Sequence, residues 1–141
     1  MQRRPSEAEP AKQRFGLAAR LRSFRYAVNG LRLLLRHEHN SRVHLGAAIM
    51  VIALGSIRRV TACEWRWLIL AILLVWTAEA FNSAIEWLCD LVSPGFHPLV
   101  KRIKDVAAGA VLMSSIGAAA IGVTVFWPYR FAAVHVISGR S

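Results

Sequence analysis

The sequence is poor in cysteine and in acidic residues. Its two cysteines, Cys63 and Cys89, lie at the two ends of one long apolar run. If that run is a single helix, they are about 39 Å apart, which excludes a disulfide bond between them within the chain. The 8 Asp and Glu residues face 18 Lys and Arg, for a net charge of +10. Such an excess is typical of proteins that bind nucleic acid or an anionic membrane surface.

Several familiar motifs are also missing. There is no zinc-finger spacing, no RNP-like aromatic strand and no helix-turn-helix pattern, so we predict that nucleic acid is not a partner. The N-terminus is charged and no apolar stretch follows before about Val43, so we expect no signal peptide. Neither a Walker-type nor a protein-kinase glycine-rich loop is present.

Long apolar runs are what the sequence does have. Hydrophobic residues make up 55% of the 141, and they are concentrated in segments long enough to cross a bilayer. We predict an all-α integral membrane protein with three transmembrane helices and an N-terminal interfacial amphipathic helix. The predicted parts are a basic, disordered tail (1–21), a membrane domain (22–128) with an interfacial helix (23–36) and spans at about 40–57, 62–91 and 99–127, and a C-terminal tail (129–141).

Local signals support these boundaries. Thr61 and Glu64 form a capping box before the second span, and Pro98 suits the first turn of the third. Trp65, Trp67 and Trp87 resemble interfacial anchors. A stripe of small residues would let another helix approach the third span closely: Ala110, Ser114, Ala118 and Gly122. Thirteen of the 18 Lys and Arg fall on one predicted side, which indicates a cytoplasmic N-terminus.

The second span carries a row of polar residues on one face. At about 100° per residue its members share roughly a 100° arc, and we call them the polar row: Glu79, Asn82, Ser83, Glu86 and Asp90. A carboxylate inside a membrane helix costs at least a few kcal/mol, so such residues face a bundle interior or an aqueous site. The row is therefore a functional candidate.

Opposite charge follows in the next segment, where Lys104 and Asp105 begin the third span. A lysine at a helix start could hold phosphate oxygens, and nearby carboxylates could hold magnesium. Glu38 is expected at the same cytoplasmic level as Glu86. The spacing alone supports ion transport almost as well as phosphoryl transfer. Zinc binding by His37, Glu38, His39 and His44 is conceivable, but the spacing matches no familiar site and interfacial histidines are preferred.

Two stretches resemble the signature of the prokaryotic diacylglycerol kinase family, which includes undecaprenol kinases. They are Glu79-Ala-Phe-Asn-Ser-Ala-Ile-Glu86-Trp-Leu-Cys-Asp90 and His97-Pro-Leu-Val-Lys-Arg-Ile-Lys104-Asp105. The segment Arg36-His-Glu38-His-Asn40-Ser-Arg42-Val-His44 is similar to the undecaprenol-kinase branch. The resemblance covers about residues 23–128. It implies a homotrimer in a prokaryotic cell membrane, with active sites between neighbouring subunits.

The resemblance also implies roles for single residues. Glu79 matches the general base, and Glu38 and Glu86 match the carboxylates that hold the metal of the nucleotide. Positions matching other ATP contacts are Tyr26, Gly95, Phe96, His97, Lys104 and Asp105, while Asn82 and Asp90 match supporting positions. Phe96 stands where some members have tyrosine, so a hydroxyl contact is lost there. The long basic tail has no counterpart in the family's core.

We therefore predict a lipid kinase that uses ATP and Mg²⁺ to phosphorylate the hydroxyl of a membrane lipid. Diacylglycerol and undecaprenol both present such a hydroxyl, and the sequence does not choose between them. The main alternative is a non-enzymatic ion or proton carrier that uses the Glu79/Glu86 face. A weaker one is a membrane-surface anchor built on the basic tail.

Overall fold

The structure, a computed structural model, describes residues 17–129, which form four α-helices. They are α1 (Leu17–His37), α2 (His39–Arg58), α3 (Ala62–Val92) and α4 (Pro98–Phe126). The connections between them are short. The predicted all-helical fold is confirmed for this part of the chain.

Helices α2, α3 and α4 are each long and apolar enough to cross a membrane. Most of their apolar surface points away from the protein. In the most apolar window, 17% of residues are buried in α2 and in α4, against 33% in α3. Large side chains such as Leu73, Met113 and Ile49 are exposed. Apolar side chains that point outward suit helices that face lipid. Helix α3 has the largest buried share and is the central helix.

Helix α1 begins at Leu17, inside the segment predicted as a disordered tail and before the helix start predicted at residue 23. Leu17 and Leu21 continue the apolar spacing of Phe24, Val28 and Leu31 upstream. The arginines between them obscured that continuity. The predicted tails at 1–16 and 130–141 lie outside the described residues. The location of α1 in the membrane interface stays a prediction.

The turn between α1 and α2 is held by an arginine. Arg42 donates hydrogen bonds from its guanidinium to the carbonyl oxygens of Leu35 and Arg36, at 3.1 and 2.5 Å. These are among the last carbonyls of α1, which lack partners within the helix. Leu34 of α1 is also buried, with 3% of its surface exposed. The end of α1 is thus attached to the start of α2.

The predicted start of α3 is confirmed. Thr61 Oγ1 accepts a hydrogen bond from the N–H of Glu64, and the Glu64 carboxylate accepts one from the N–H of Thr61. The turn before it contains Arg59 in the left-handed conformation, with φ 52°. Its N–H reaches back to carbonyls at the end of α2. Such an arrangement is a common way to terminate a helix.

Helices α3 and α4 make the most extensive helix–helix contact of the described chain. Pro98 lies in the first turn of α4, as predicted, and His97 caps it. Of the predicted small-residue stripe, Ser114, Ala118 and Gly122 are half-buried, whereas Ala110 is exposed. Ala118 and Gly122 line an apolar groove, and a Cβ added at Gly122 would meet nothing within 4 Å. The structure therefore does not show the close helix approach predicted for the stripe at Gly122. Ala110 lies off the half-buried face because a spacing of four drifts around a helix of 3.6 residues per turn.

Candidate active site

The polar row of α3 is buried at its inner end and exposed at its outer end. Glu79 and Ser83 are 1% exposed and Asn82 is 6% exposed. Glu86 is half-buried and Asp90 is exposed. Burying a carboxylate and an amide in an apolar bundle is costly unless they are paired or used. The structure therefore places Glu79, Asn82 and Ser83 inside the bundle, whereas Asp90 lies at its surface.

Glu79 receives its neighbours from the first turns of α2. Ser41 donates a hydrogen bond from Oγ to Glu79 Oε1 at 3.1 Å. His44 Nε2 lies 4.0 Å from the other oxygen, Oε2. Within the described part of the chain Oε2 has no hydrogen-bond partner. One oxygen of this buried carboxylate is held, and the other is free to accept a proton.

One turn further along α3, Asn82 donates a hydrogen bond from Nδ2 to Glu86 Oε1 at 3.1 Å. Asn82 Oδ1 and Ser83 Oγ are buried and have no partner among residues 17–129. Buried polar atoms are nearly always hydrogen-bonded in complete assemblies. These atoms therefore suit contact with a substrate or another subunit.

Glu38 joins the site through an indole. It stands at the N-cap of α2, yet its side chain makes no cap hydrogen bond. Instead Glu38 Oε1 accepts a hydrogen bond from Trp87 Nε1 at 2.9 Å. Trp87 directly follows Glu86 in α3, so the contact brings Glu38 to the level of Glu86. The two predicted metal ligands thus come from neighbouring stretches of two helices.

Glu38 and Glu86 are carboxylates, the ligand type that Mg²⁺ takes. Mg²⁺ commonly takes one or two carboxylates and completes its shell with water and phosphate oxygens. Asn82 and Trp87 each engage Oε1 of their glutamate, so Oε2 of each is the atom a cation would need. Between residues 17 and 129, no three His, Cys, Asp or Glu side chains are grouped to hold a metal ion. The zinc alternative therefore gains no support.

The start of α4 presents two lysine–aspartate pairs. Lys104 Nζ donates a hydrogen bond to Asp90 at the outer end of the polar row. Lys101 Nζ lies 2.6 Å from Asp105 Oδ2, one turn along the same helix. The Lys104–Asp90 contact places Lys104 beside the outer end of the polar row. A phosphate would compete with Asp90 for this lysine.

The remaining predicted nucleotide contacts lie at the surface. Tyr26 and Phe96 are 64% and 85% exposed, and neither takes part in a hydrogen bond recorded within residues 17–129. The carbonyl of Gly95 accepts a hydrogen bond from Ser93 Oγ at 3.4 Å. His97 Nδ1 accepts one from the N–H of Leu99 at 3.2 Å. The structure shows no hydrogen bond between these four residues and the carboxylates.

Two contributors to the site were not predicted from the sequence. Ser41 was not singled out, and Trp87 was interpreted only as a membrane anchor. Ser41 lies one turn after Glu38 at the start of the first span, and a single serine there is a weak sequence signal of a functional role. Its significance depends on which helices become neighbours. His44 was grouped with other histidines, whereas the structure places it next to Glu79.

An apolar groove of about 360 Å³ lies beside this site, between α2, α3 and α4. On α2 its lining runs from His44 to Leu54, and on α4 from Ser115 to Phe126. Ten residues of helix correspond to about 15 Å, roughly half of a bilayer's apolar thickness. His44 therefore belongs both to the groove and to the surroundings of Glu79.

Known proteins share the sequence pattern of this chain. The sequence profile described as prokaryotic diacylglycerol kinase matches residues 25–126. The chain belongs to the prokaryotic diacylglycerol kinase family. It is therefore an enzyme of a lipid-kinase family, as the resemblance implied, and a membrane protein.

Individual relatives agree with this assignment. The chain is 36% identical over 107 residues to the undecaprenol kinase of Bacillus subtilis (strain 168), covering 76% of this chain and 87% of that one. It is 38% identical over 101 residues to a diacylglycerol kinase of Synechocystis, covering 71% and 58%. It is 30% identical over 104 residues to the diacylglycerol kinase of Escherichia coli (strain K12), covering 74% and 85%. Membership of this family does not favour the ion-carrier alternative.

Proposed function

We propose that this family member transfers the γ-phosphate of ATP to the hydroxyl of a membrane lipid, with Mg²⁺ as cofactor. The observation that carries the proposal is the environment of the Glu79 carboxylate. This carboxylate is 1% exposed inside a membrane bundle, with one oxygen hydrogen-bonded and the other unpartnered within the described residues. A buried acidic group with a free oxygen beside an apolar groove suits a general base for a lipid hydroxyl.

The proposed step is a direct displacement. The lipid hydroxyl oxygen forms a bond to the γ-phosphorus, and the bond from that phosphorus to the β,γ-bridging oxygen breaks, releasing ADP. The hydroxyl proton passes to Glu79 Oε2. Such chemistry depends mainly on positioning and on neutralising phosphate charge. A bound magnesium ion would supply part of that neutralisation, and the other part would come from Lys104.

The nucleotide is assigned to the exposed end of the polar row. Glu38 and Glu86 are the proposed metal ligands, because each keeps one oxygen outside its hydrogen bond to Trp87 or Asn82. Lys104 is proposed to exchange Asp90 for phosphate oxygens, since it is held beside this row. Asp105, Tyr26, Gly95, Phe96 and His97 are proposed nucleotide contacts on the basis of the family resemblance.

The lipid is assigned to the buried end of the row. The groove offers room for hydrocarbon and has almost no polar lining, and His44 connects it to Glu79. A chain lying in the groove would place a terminal hydroxyl near the carboxylate. Diacylglycerol and undecaprenol both have a hydroxyl at the end of an apolar body. We propose one of these two as the substrate.

The assembly is proposed to be a homotrimer in the cell membrane of a prokaryote, with a cytoplasmic N-terminus. The buried unpartnered atoms of Asn82 and Ser83 are consistent with a site that a neighbouring subunit completes. The orientation is supported by the 13 of 18 Lys and Arg residues on the predicted inner side. It places Glu86, Asp90 and Lys104 where ATP is available.

The experiment that tests the function is reconstitution of the protein in liposomes with ATP, Mg²⁺ and either diacylglycerol or undecaprenol. We expect phosphorylated lipid from one of the two. Glu79→Gln is expected to lower kcat at least about 100-fold, which is the typical contribution of general base catalysis. Glu64→Gln is the matched control. It lies at the other end of α3, and glutamine preserves a capping box.

Two results would contradict the proposal. Absence of product from both lipids would exclude the lipid-kinase function. Full activity of Glu79→Gln would exclude Glu79 as the base. A proton or cation flux in liposomes without nucleotide, lost in Glu79→Gln, would instead support the carrier alternative.

A further inference from the structure

Ser41 is a buried serine whose side chain contacts a different helix. It lies in the first turn of α2 and none of its surface is exposed. Its hydroxyl donates to Glu79 Oε1 at 3.1 Å, across the boundary between α2 and α3. This is a side-chain hydrogen bond between residues 38 positions apart in sequence. It joins the proposed base to a second helix.

Four other helical hydroxyl groups of the described chain bond to their own backbone. Ser23, Ser56 and Ser114 donate to a carbonyl three or four residues earlier in their own helix, and Thr124 does the same. That local bond satisfies a hydroxyl without a partner helix, whereas Ser83 Oγ and Ser115 Oγ have no partner within residues 17–129. Ser41 bonds to Glu79 instead. Its contact therefore serves the carboxylate as much as the hydroxyl.

The carboxylate has few other ways to be satisfied. Within residues 17–129, Oε2 of Glu79 has no hydrogen bond, and His44 Nε2 lies 4.0 Å from it. Hydrogen bonds to a buried carboxylate are worth more than those between neutral groups. Ser41 thus supplies the one hydrogen bond that fixes the rotation of this side chain. It also determines which of the two oxygens remains free.

We propose that Ser41 is a positioning residue for Glu79, holding Oε1 so that Oε2 is the atom that accepts the substrate proton. The inference rests on the proposed function of Glu79 as the base. Ser41 itself exchanges no proton with the substrate. Its removal leaves the base in place but releases its orientation, so the chemical step slows more than substrate binding weakens.

The test compares Ser41→Ala, Ser41→Thr and a control, Ser56→Ala, in the reconstituted assay. Ser56 lies on the same helix and bonds only to its own backbone at Ile52. We expect Ser41→Ala to lower kcat about tenfold or more, with the KM values for lipid and ATP within about twofold. Ser41→Thr keeps a hydroxyl and is expected to recover most of kcat. Ser56→Ala is expected to match the wild type.

A readout without turnover separates this inference from the proposed function. The infrared carboxyl band of Glu79, assigned by its loss in Glu79→Gln, is expected to shift in Ser41→Ala and to return in Ser41→Thr. Wild-type kcat in Ser41→Ala beside an inactive Glu79→Gln would overturn the role of Ser41 and leave the base in place. A change in lipid KM alone, or a loss that threonine does not recover, would also overturn it. An active Glu79→Gln would remove the proposed base whatever Ser41 does.

Discussion

At the scale of single residues, one indole N–H connects the two helices that supply the proposed metal ligands. Trp87 donates to Glu38 from the position next to Glu86. A neutral donor on a ligating carboxylate orients it without competing for the cation. Partners of this kind typically contribute 10- to 100-fold to metal affinity.

Trp87→Phe keeps the aromatic ring and removes only the donor. We expect the Mg²⁺ concentration for half-maximal activity to rise about tenfold, because Glu38 is no longer held toward α3. A magnesium titration of lipid phosphorylation measures this, and Trp67→Phe, an exposed tryptophan of the same helix, serves as the control. An unchanged titration curve for Trp87→Phe would show that the hydrogen bond does not position a metal ligand.

The contrast between Glu79 and Ser41 shows what a single sequence can predict at this scale. Glu79, Asn82 and Glu86 share a helix, so helical periodicity alone places them on one face. Ser41 and Trp87 acquire their contacts from the packing of α2 against α3, and no local pattern encodes which side chains meet across that boundary. The family resemblance assigned roles to some residues of the matching stretches, but none to Ser41 or Trp87, which lie within those stretches.

At the scale of helices, α2 and α3 come close at one glycine. A Cβ added at Gly55 would lie 2.9 Å from Trp65 Cη2 and 3.0 Å from Cζ2. These distances are shorter than van der Waals contact, so a larger residue must displace the indole or separate the helices. Gly55 is also buried near the end of α2. The close approach depends on its missing side chain.

Gly55→Val is therefore expected to destabilise the protein by about 1–3 kcal/mol, which is the usual cost of overpacking. Gly46→Val is the matched control, because a Cβ at Gly46 of the same helix meets nothing within 4 Å. Thermal unfolding in detergent compares the two. Equal midpoints for the two variants would show that the α2–α3 contact tolerates the extra volume.

The end of α4 is tied to the start of α3 by Tyr129. Its hydroxyl donates to Glu64 at 2.7 Å, and its carbonyl accepts from Arg58 at 3.1 Å. The hydrogen bond to the Glu64 carboxylate raises the pKa of the Tyr129 phenol above its ordinary value of 10.0. Because the folded state favours the protonated phenol, this contribution is complete below about pH 10 and is lost as the pH rises through the raised pKa.

We expect Tyr129→Phe to lower the thermal midpoint at neutral pH, since it removes the donor and leaves the ring. The difference in midpoint between the wild type and Tyr129→Phe should stay constant below about pH 10 and shrink above it. Thermal scans at several pH values measure this difference. A difference that persists unchanged in strong alkali would indicate that packing of the ring, not the hydrogen bond, stabilises the wild type.

Helix boundaries were predictable where a chemical signal marks them. The Thr61–Glu64 capping box and Pro98 set the starts of α3 and α4, and the structure has both. The start of α1 was missed because its first turns contain no comparable cap, and the arginines there resemble a tail. Length and periodicity thus predict that a helix exists, whereas its first residue depends on a cap.

At the scale of the whole molecule, the two ends of the bundle differ in chemistry. One end holds Glu38, Glu86, Asp90 and Lys104, which are suited to a charged nucleotide. The other holds Arg58, Thr61, Glu64 and Tyr129, which bond to one another and join α2, α3 and α4. The first end therefore suits catalysis, and the second end holds the three helices together. If this division is correct, the first end must face the cytoplasm, where ATP is present.

The two cysteines provide a direct test of that orientation. Cys63 is exposed and adjoins the structural end, whereas Cys89 is buried near the catalytic end. We expect a membrane-impermeant maleimide to label the protein from outside intact bacterial cells with a permeable outer envelope. Labelling should disappear in Cys63→Ser and persist in Cys89→Ser. Labelling of Cys63 only in inside-out vesicles would reverse the topology, placing the polar row on the side without ATP and excluding the proposed nucleotide site.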